Sequence, residues 1–263
     1  MKKLSLLFEY LTFLLQAKNE HSIHSPFVFN LYTTAIAPKT KTPYYCYRKI
    51  EELRTLLLQS EKIIRVKDYG AGSKHLQGNE RKVKDIAGSS LKSPLLSQLL
   101  FRLAIFSKPK VVVDLGTSLG VTTMYYAYSN KKTKVYTFEG CPETAQIALT
   151  NFKKLRLDNI DLTLGNLDET LEVKLNEVDT IDFAFFDANH RKEPTLNYFN
   201  LCLSKAHEQS LFIFDDIHWS YEMEEAWEEI KAHPKVLITI DLFFIGLVFF
   251  RTNQPKQHFK LWL

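Results

Sequence analysis

The chain has 263 residues, 45% of them hydrophobic and 13% aromatic, which suits one α/β domain with an extension or two small domains and excludes a disordered chain. Its net charge of +4 comes from lysines and arginines scattered among 30 acids, without a run of five like charges, so the balance is weak evidence for a nucleic-acid partner. Cys46, Cys141 and Cys202 are odd in number and form no CxxC, which implies neither a disulfide framework nor a zinc knuckle and fits a reducing cytoplasm.

In chain order, "MKKLSLLFEYLTFLLQA" starts like a signal peptide, but Glu9 interrupts it and the apolar run is too short to span a bilayer. Leu4, Leu7, Phe8, Leu11, Leu14 and Leu15 recur at helical spacing, so the simpler expectation is an amphipathic helix docked on protein through that stripe, with secretion or membrane association as the alternatives. Further helical patterns lie near 26–36, 47–60 and 92–106. Between the last two runs a polar, glycine-containing stretch, 66–90. Residues 1–105 therefore read as a mainly helical N-terminal extension that caps the substrate side, and 106–263 as the ligand-binding domain.

From 109 strands and helices alternate. "KVVVDLG", "KVYTFEG", "IDLTLG", "IDFAFFDA" and "SLFIFDD" read as strands, each followed by a helical run. Near-continuous apolar strands require cover on both faces, hence a mostly parallel, doubly wound sheet. "VLITIDLFFIGLVFF" holds two strand-like runs with no room for a crossover helix, so they form an antiparallel pair at the sheet edge. The expected architecture is a Rossmann-like α/β fold with a seven-stranded sheet.

Two glycine turns compete for a ligand. "VVVDLGTSLG" runs from a buried strand into Gly116 and Gly120 and then a helix, which is where open α/β sheets bind ligands. Its G-x-x-x-G spacing lacks the dinucleotide and P-loop fingerprints, arguing against NAD, FAD and P-loop nucleotides. Glu139 ends the next strand, where an acid can accept hydrogen bonds from both ribose hydroxyls of an adenosine moiety. "VKDYGAGS" at 66–73 follows a charged segment and precedes no helix start; it reads as a loop at the substrate entrance or as a plain surface turn. The bland reading of Gly116 and Gly120 is a tight strand-to-helix turn without a ligand.

Over 109–250 these segments resemble class I S-adenosylmethionine-dependent methyltransferases: "VVVDLGTSLG" the first cofactor motif, "VYTFEG" the ribose strand end, "LGNLDETL" the adenine-side turn and "IDFAFFDANH" the fourth-strand motif. "FFDANH" followed by "FIFDDIHW" is similar to catechol/caffeoyl-CoA-type O-methyltransferases, and the N-terminal part resembles uncharacterised bacterial methyltransferase-like proteins. The resemblance implies S-adenosylmethionine held by Asp114, Gly116, Ser118, Gly120, Glu139, Gly140, Asn166, Leu167 and Asp187. It also implies a divalent cation such as Mg²⁺ on Asp187, Asp215 and Asp216. In this sequence Asp216 stands where that family has Asn, and His190 where it often has Lys. Three uses of the cluster stay open: a metal site, a His190 general base oriented by Asp187 or Asp215, or cofactor contact with helix capping only.

The function that follows is methyl transfer to an oxygen of a small molecule, by a cytoplasmic protein without a membrane segment and with homodimerisation left open. Alternatives are a nitrogen, RNA or protein acceptor, for which the basic residues at 65–84 would form the footprint, or a non-catalytic cofactor-binding module. His21 and His24 read as capping or packing residues, Cys141 as packing, and His218 with Trp219 as the pocket mouth.

Overall fold

The computed structural model describes residues 2–40, 43–67 and 79–263. The N-terminal extension contributes α1 (Lys2–Gln16), α2 (Pro26–Leu31) continued by a π-helical turn Tyr32–Ile36, and α3 (Tyr45–Leu58). Two short antiparallel strands follow, β1 (Ile63–Arg65) and β2 (Glu80–Lys82), and then α4 (Val83–Ser90) and α5 (Pro94–Ser107). Alternation then sets in: β3 (Val111–Leu115), α6 (Val121–Ser129), β4 (Lys134–Glu139), α7 (Pro142–Lys154), β5 (Ile160–Leu164), α8 (Leu167–Leu175), β6 (Ile181–Phe186), α9 (Lys192–Leu203), β7 (Ala206–Asp215) and α10 (Tyr221–Ala232). Three strands close the chain: β8 (Ile238–Asp241), β9 (Ile245–Phe249) and β10 (Gln257–Lys260).

The main sheet runs β10-β8-β9-β7-β6-β3-β4-β5. β9 is antiparallel to both β7 and β8, and every other pairing is parallel. The sheet thus has eight strands rather than seven. The eighth, β10, pairs in parallel with β8, so the antiparallel pair is one strand in from the edge. Its sequence, "QHFK", lacks the apolar run of a central strand because an edge strand is only half covered.

Alternate residues of the central strands feed two apolar layers, as the twofold strand period requires. Val112, Phe183, Phe185, Leu211 and Ile213 pack on one face with Val28, Leu31, Leu99, Leu100, Leu103 and Tyr126. Val113, Leu115, Ala184, Phe186, Phe212 and Phe214 pack on the other with Leu171, Phe199 and Trp227. Burying one such side chain contributes roughly 1.5–3 kcal/mol. The first face is covered largely by α2 and α5, so residues on both sides of the 105/106 boundary share one core.

Helix α1 forms, but it does not dock through the expected stripe. Phe8, Leu11 and Leu15 are exposed, Leu15 by 90%; the side chains of Leu4 and Leu7 lie outside the described residues. The buried face is Phe13 and Ala17, flanked by Tyr10 and Leu14 and packed against Phe243. Positions 10, 13, 14 and 17 share a helical face that overlaps the stripe only at Leu14, and the aromatic partner Phe243 selects it over the rest of the stripe. Among the described residues no helix is long and apolar enough to cross a membrane.

Candidate active site

The order β6-β3-β4 puts the topological switch point between β3 and β6, where the carboxyl ends of the strands open a crevice. Gly116 leaves β3 at φ +112°, and a Cβ there would lie 2.2 Å from the Asp187 carbonyl oxygen. Gly120 has φ +82°, and its Cβ would meet the Phe152 ring at 2.5 Å. Both glycines are therefore demanded by chain packing: the first lets β3 reach the end of β6, the second lets α6 start against α7. The Asp187 N–H donates to the Leu115 carbonyl at 2.9 Å, which locks the two strand ends together.

Glu139, at the end of β4, organises the turn. One carboxylate oxygen accepts from the Ser118 N–H at 2.8 Å and the other from the Cys141 N–H at 2.9 Å. Gly140 lies between these anchors in sequence. Below the turn, buried Asp114 accepts from the Thr123 and Thr137 hydroxyls through Oδ2, at 2.6 and 2.9 Å. Its Oδ1 has no hydrogen-bond partner among the described residues. Burial pushes the Asp114 pKa up to about 6, partly offset by the two hydroxyls. At the end of β5, Asn166 caps α8 by accepting from the Asp168 N–H at 3.2 Å, and Leu167 packs on the core beside it.

The other half of the crevice carries the acids. Asp187, His190 and Asp215 each bring one ligand-capable atom within 4.8 Å of the others. His190 Nε2 lies 3.5 Å from Asp187 Oδ1. Asp216 is not in that set; its backbone N–H donates to the Phe244 carbonyl at 2.8 Å, joining β7 to the β8–β9 turn. Ser118, Asn189, His190 and Asp216 all hold left-handed backbone, with φ of 49, 68, 44 and 54°. Left-handed non-glycine residues of this kind cost about 1–3 kcal/mol each and persist where surrounding structure overdetermines them.

The residue that sequence reading missed is Lys92, between α4 and α5. Its Nζ lies 3.0 Å from Asp187 Oδ1 and also contacts Asp215 Oδ2. The Lys92 carbonyl accepts from Arg54 Nη1 at 2.6 Å. Arg54 is buried and is itself held by Glu51 at 2.8 Å and by the Ser97 hydroxyl at 3.1 Å. Glu51 also accepts from the Tyr125 hydroxyl at 2.7 Å. The helices of the extension thus fix the backbone that delivers the ammonium to the strand ends.

One ammonium faces three carboxylates. Burial alone would lower the Lys92 pKa, but Asp187, Asp215 and Asp216 outweigh it and hold the ammonium above its ordinary value. Burial pushes Asp215 up to about 7, with Asp187 adding to the rise and Lys92 opposing it. Burial likewise pushes Asp187 and Asp216 up to about 6. Beneath them the buried Tyr126 hydroxyl has no partner among the described residues. Burial, then the Asp114, Asp187 and Asp215 charges, holds its pKa well above the ordinary value.

The remaining candidates sit as follows. His218 bonds Asp241 at 2.9 Å and Glu224 at 3.2 Å and stacks on Phe243. Burial would lower its pKa, but the Asp241 and Glu224 carboxylates outweigh that and raise it. Trp219 is exposed. Cys141 is buried; its thiol donates to the Arg65 carbonyl and accepts from the Lys67 N–H, tying the start of the 66–73 loop to the Glu139 turn. Residues 68–73 of that loop lie outside the described residues. Of the basic residues at 65–84, Lys82 and Lys84 both bind Glu61, and Arg65 approaches Glu80 at 3.6 Å. His21 and His24 are exposed. His24 borders a cleft of about 550 Å³ beyond β8 and β10, whose lining includes neither Asp187 nor Glu139.

Residues 113–217 match the family described as a methyltransferase domain. The chain is 28% identical over 151 residues to O-methyltransferase hkm8 of Aspergillus hancockii, covering 55% of this chain and 59% of that relative. It therefore spans about three fifths of that relative's length. Its fold is similar to that of the O-methyltransferase from Bacillus cereus in complex with SAH, with a TM-score of 0.57, 16% identity, and 84% of this chain and 97% of that one covered. It is also similar to the SAH-bound methyltransferase PaMTH1 of Podospora anserina, with a TM-score of 0.59, 13% identity, and 87% and 97% covered.

Proposed function

We propose that this chain, whose residues 113–217 match a methyltransferase domain, is a class I S-adenosylmethionine-dependent methyltransferase that transfers a methyl group from S-adenosylmethionine to an oxygen of a small molecule. One observation carries this reading: the β3 turn with Glu139 and the Asp187–His190–Asp215 cluster meet at a single crevice, joined through the contact of Gly116 with Asp187. S-adenosylmethionine supplies an electrophilic methyl on a sulfonium; the C–O bond forms as the S–C bond breaks, and sulfur keeps the electron pair.

The chain's own residues do the rest. Glu139, fixed by the Ser118 and Cys141 N–H groups, binds the ribose hydroxyls, and Asn166 with Leu167 flanks the adenine. Asp114 supports the turn from below through Thr123 and Thr137. Among the described residues Asp187, Asp215 and Asp216 outnumber the Lys92 ammonium, so this part of the crevice favours the cationic sulfonium over its neutral product. With Nε2 turned to Asp187 Oδ1, His190 takes the acceptor's hydroxyl proton at Nδ1, and Asp187 orients and stabilises the imidazolium that results. Aligning acceptor oxygen, methyl and sulfur in line supplies much of the acceleration.

The three buried thiols, none of them in a disulfide, belong with a cytoplasmic setting under this reading. Titration calorimetry with S-adenosylhomocysteine and a methyl-transfer assay on a panel of catechols and other phenols test it. Binding with turnover of a phenol is the expected result. Absence of heat with the wild-type chain removes the methyltransferase reading, and binding with turnover only of an amine, RNA or protein moves the acceptor away from oxygen.

A further inference from the structure

A divalent ion on strand-end carboxylates sits 2.0–2.6 Å from its oxygens, between them. The space between Asp187 Oδ1 and Asp215 Oδ2 already holds the Lys92 ammonium, in contact with both. An ion placed between those oxygens would overlap Nζ and meet a like charge at contact distance. Nor is the lysine free to swing aside. Its side chain is only 15% exposed, its carbonyl is pinned by buried Arg54, and Ser93 and Pro94, the N-cap and first residue of α5, follow directly. Leaving would strand buried Asp215 and its largely covered neighbour Asp187 without their cation.

We propose that Lys92 takes the seat of a divalent cation between Asp187 and Asp215, so that the site is closed to metal and opens to it only when the lysine is removed. The ammonium serves the charge role of the ion with a single positive charge. Two of its N–H donors face the carboxylates, which leaves a third for an acceptor oxygen, where it favours the deprotonated form. Asp215, acting on Lys92, is a positioning residue in this arrangement. This role in turnover rests on the proposed methyl transfer; occupation of the seat does not.

The test is Mn²⁺ binding to the full chain, read by the loss of the free-ion electron paramagnetic resonance signal, in parallel with calorimetry using S-adenosylhomocysteine. Wild type is expected to leave the signal unchanged. Lys92→Ala is expected to gain a single site at least about tenfold tighter than any residual wild-type binding, and adding Asp215→Asn is expected to abolish it. Lys92→Gln serves in its place if the alanine variant does not fold, as judged by circular dichroism. Wild-type binding that Asp215→Asn removes would overturn the proposal. So would a folded Lys92 variant that binds no Mn²⁺, because the carboxylates would then not be a cation seat at all. Failure of S-adenosylhomocysteine to bind, with the manganese pattern as expected, sinks the methyltransferase reading and leaves the occupied seat standing.

Discussion

The two halves of the crevice are built in different ways. The turn that follows β3 is local: Asp114, Gly116, Ser118, Gly120 and Thr123 lie within one strand-turn-helix unit, and Glu139 ends the adjacent strand. The charged half is assembled from afar. Lys92 comes from the helical extension, and its partner Asp215 is 123 positions away in sequence. The local half engages its carboxylates with backbone N–H donors and hydroxyls, all but Asp114 Oδ1 among the described residues. The remote half is satisfied by one ammonium among three carboxylates whose pKa values all lie high. Covering the sheet with an extension thus does two things at once: it closes one apolar face and it delivers a charge to the carboxyl ends of the strands.

The contrast can be broken from the charged side first. His190→Ala should lower kcat about 10²–10⁴-fold while leaving S-adenosylhomocysteine affinity in calorimetry unchanged; equal turnover would remove the base. Next in size, Lys92→Met should destabilise the chain by about 3–5 kcal/mol near pH 8 in urea unfolding, and by much less near pH 5. The sign follows from linkage. Asp187 and Asp216 at about 6 and Asp215 at about 7 bind protons more readily when folded than when unfolded. Their contribution to stability is therefore full below their unfolded pKa, near pH 4, and is lost as pH rises through about 6–7. Without Lys92 the carboxylates hold their protons to still higher pH, so the decline steepens above neutrality. A pH-independent loss would show that the ammonium does not govern them.

On the local side the expected effects are smaller. Gly116→Ala should cost about 2–3 kcal/mol in the same unfolding assay, because the new methyl meets the Asp187 carbonyl at a backbone angle that disfavours it. Glu139→Ala should weaken S-adenosylhomocysteine at least about tenfold and remove about 1–2 kcal/mol of stability, as the Ser118 and Cys141 N–H groups lose their acceptor. The smallest change belongs outside the crevice: Leu15→Ser, on the exposed stripe of α1, should stay within about 0.5 kcal/mol of wild type. A larger loss would mean that this stripe is covered in solution.

Legibility in the sequence follows the same division. The repeating strands and helices, the glycine turn and the acid ending β4 are contiguous patterns, and hydrophobic periodicity with glycine placement expresses them directly. The polar stretch 66–90 hid α4, and "SLKSPLL" announces the cap of α5 without marking the lysine before it. β10 was invisible because an edge strand needs little apolar sequence, and α1 offered two faces between which periodicity cannot choose.

By itself, then, the sequence determined a doubly wound sheet and the turn at its switch point, since those depend on neighbours a few residues apart. Tertiary structure alone decided which face of α1 is buried, how many strands the sheet carries, and that Lys92 stands between Asp187 and Asp215. Those outcomes are contacts between distant segments, set by which surfaces meet once the core has packed.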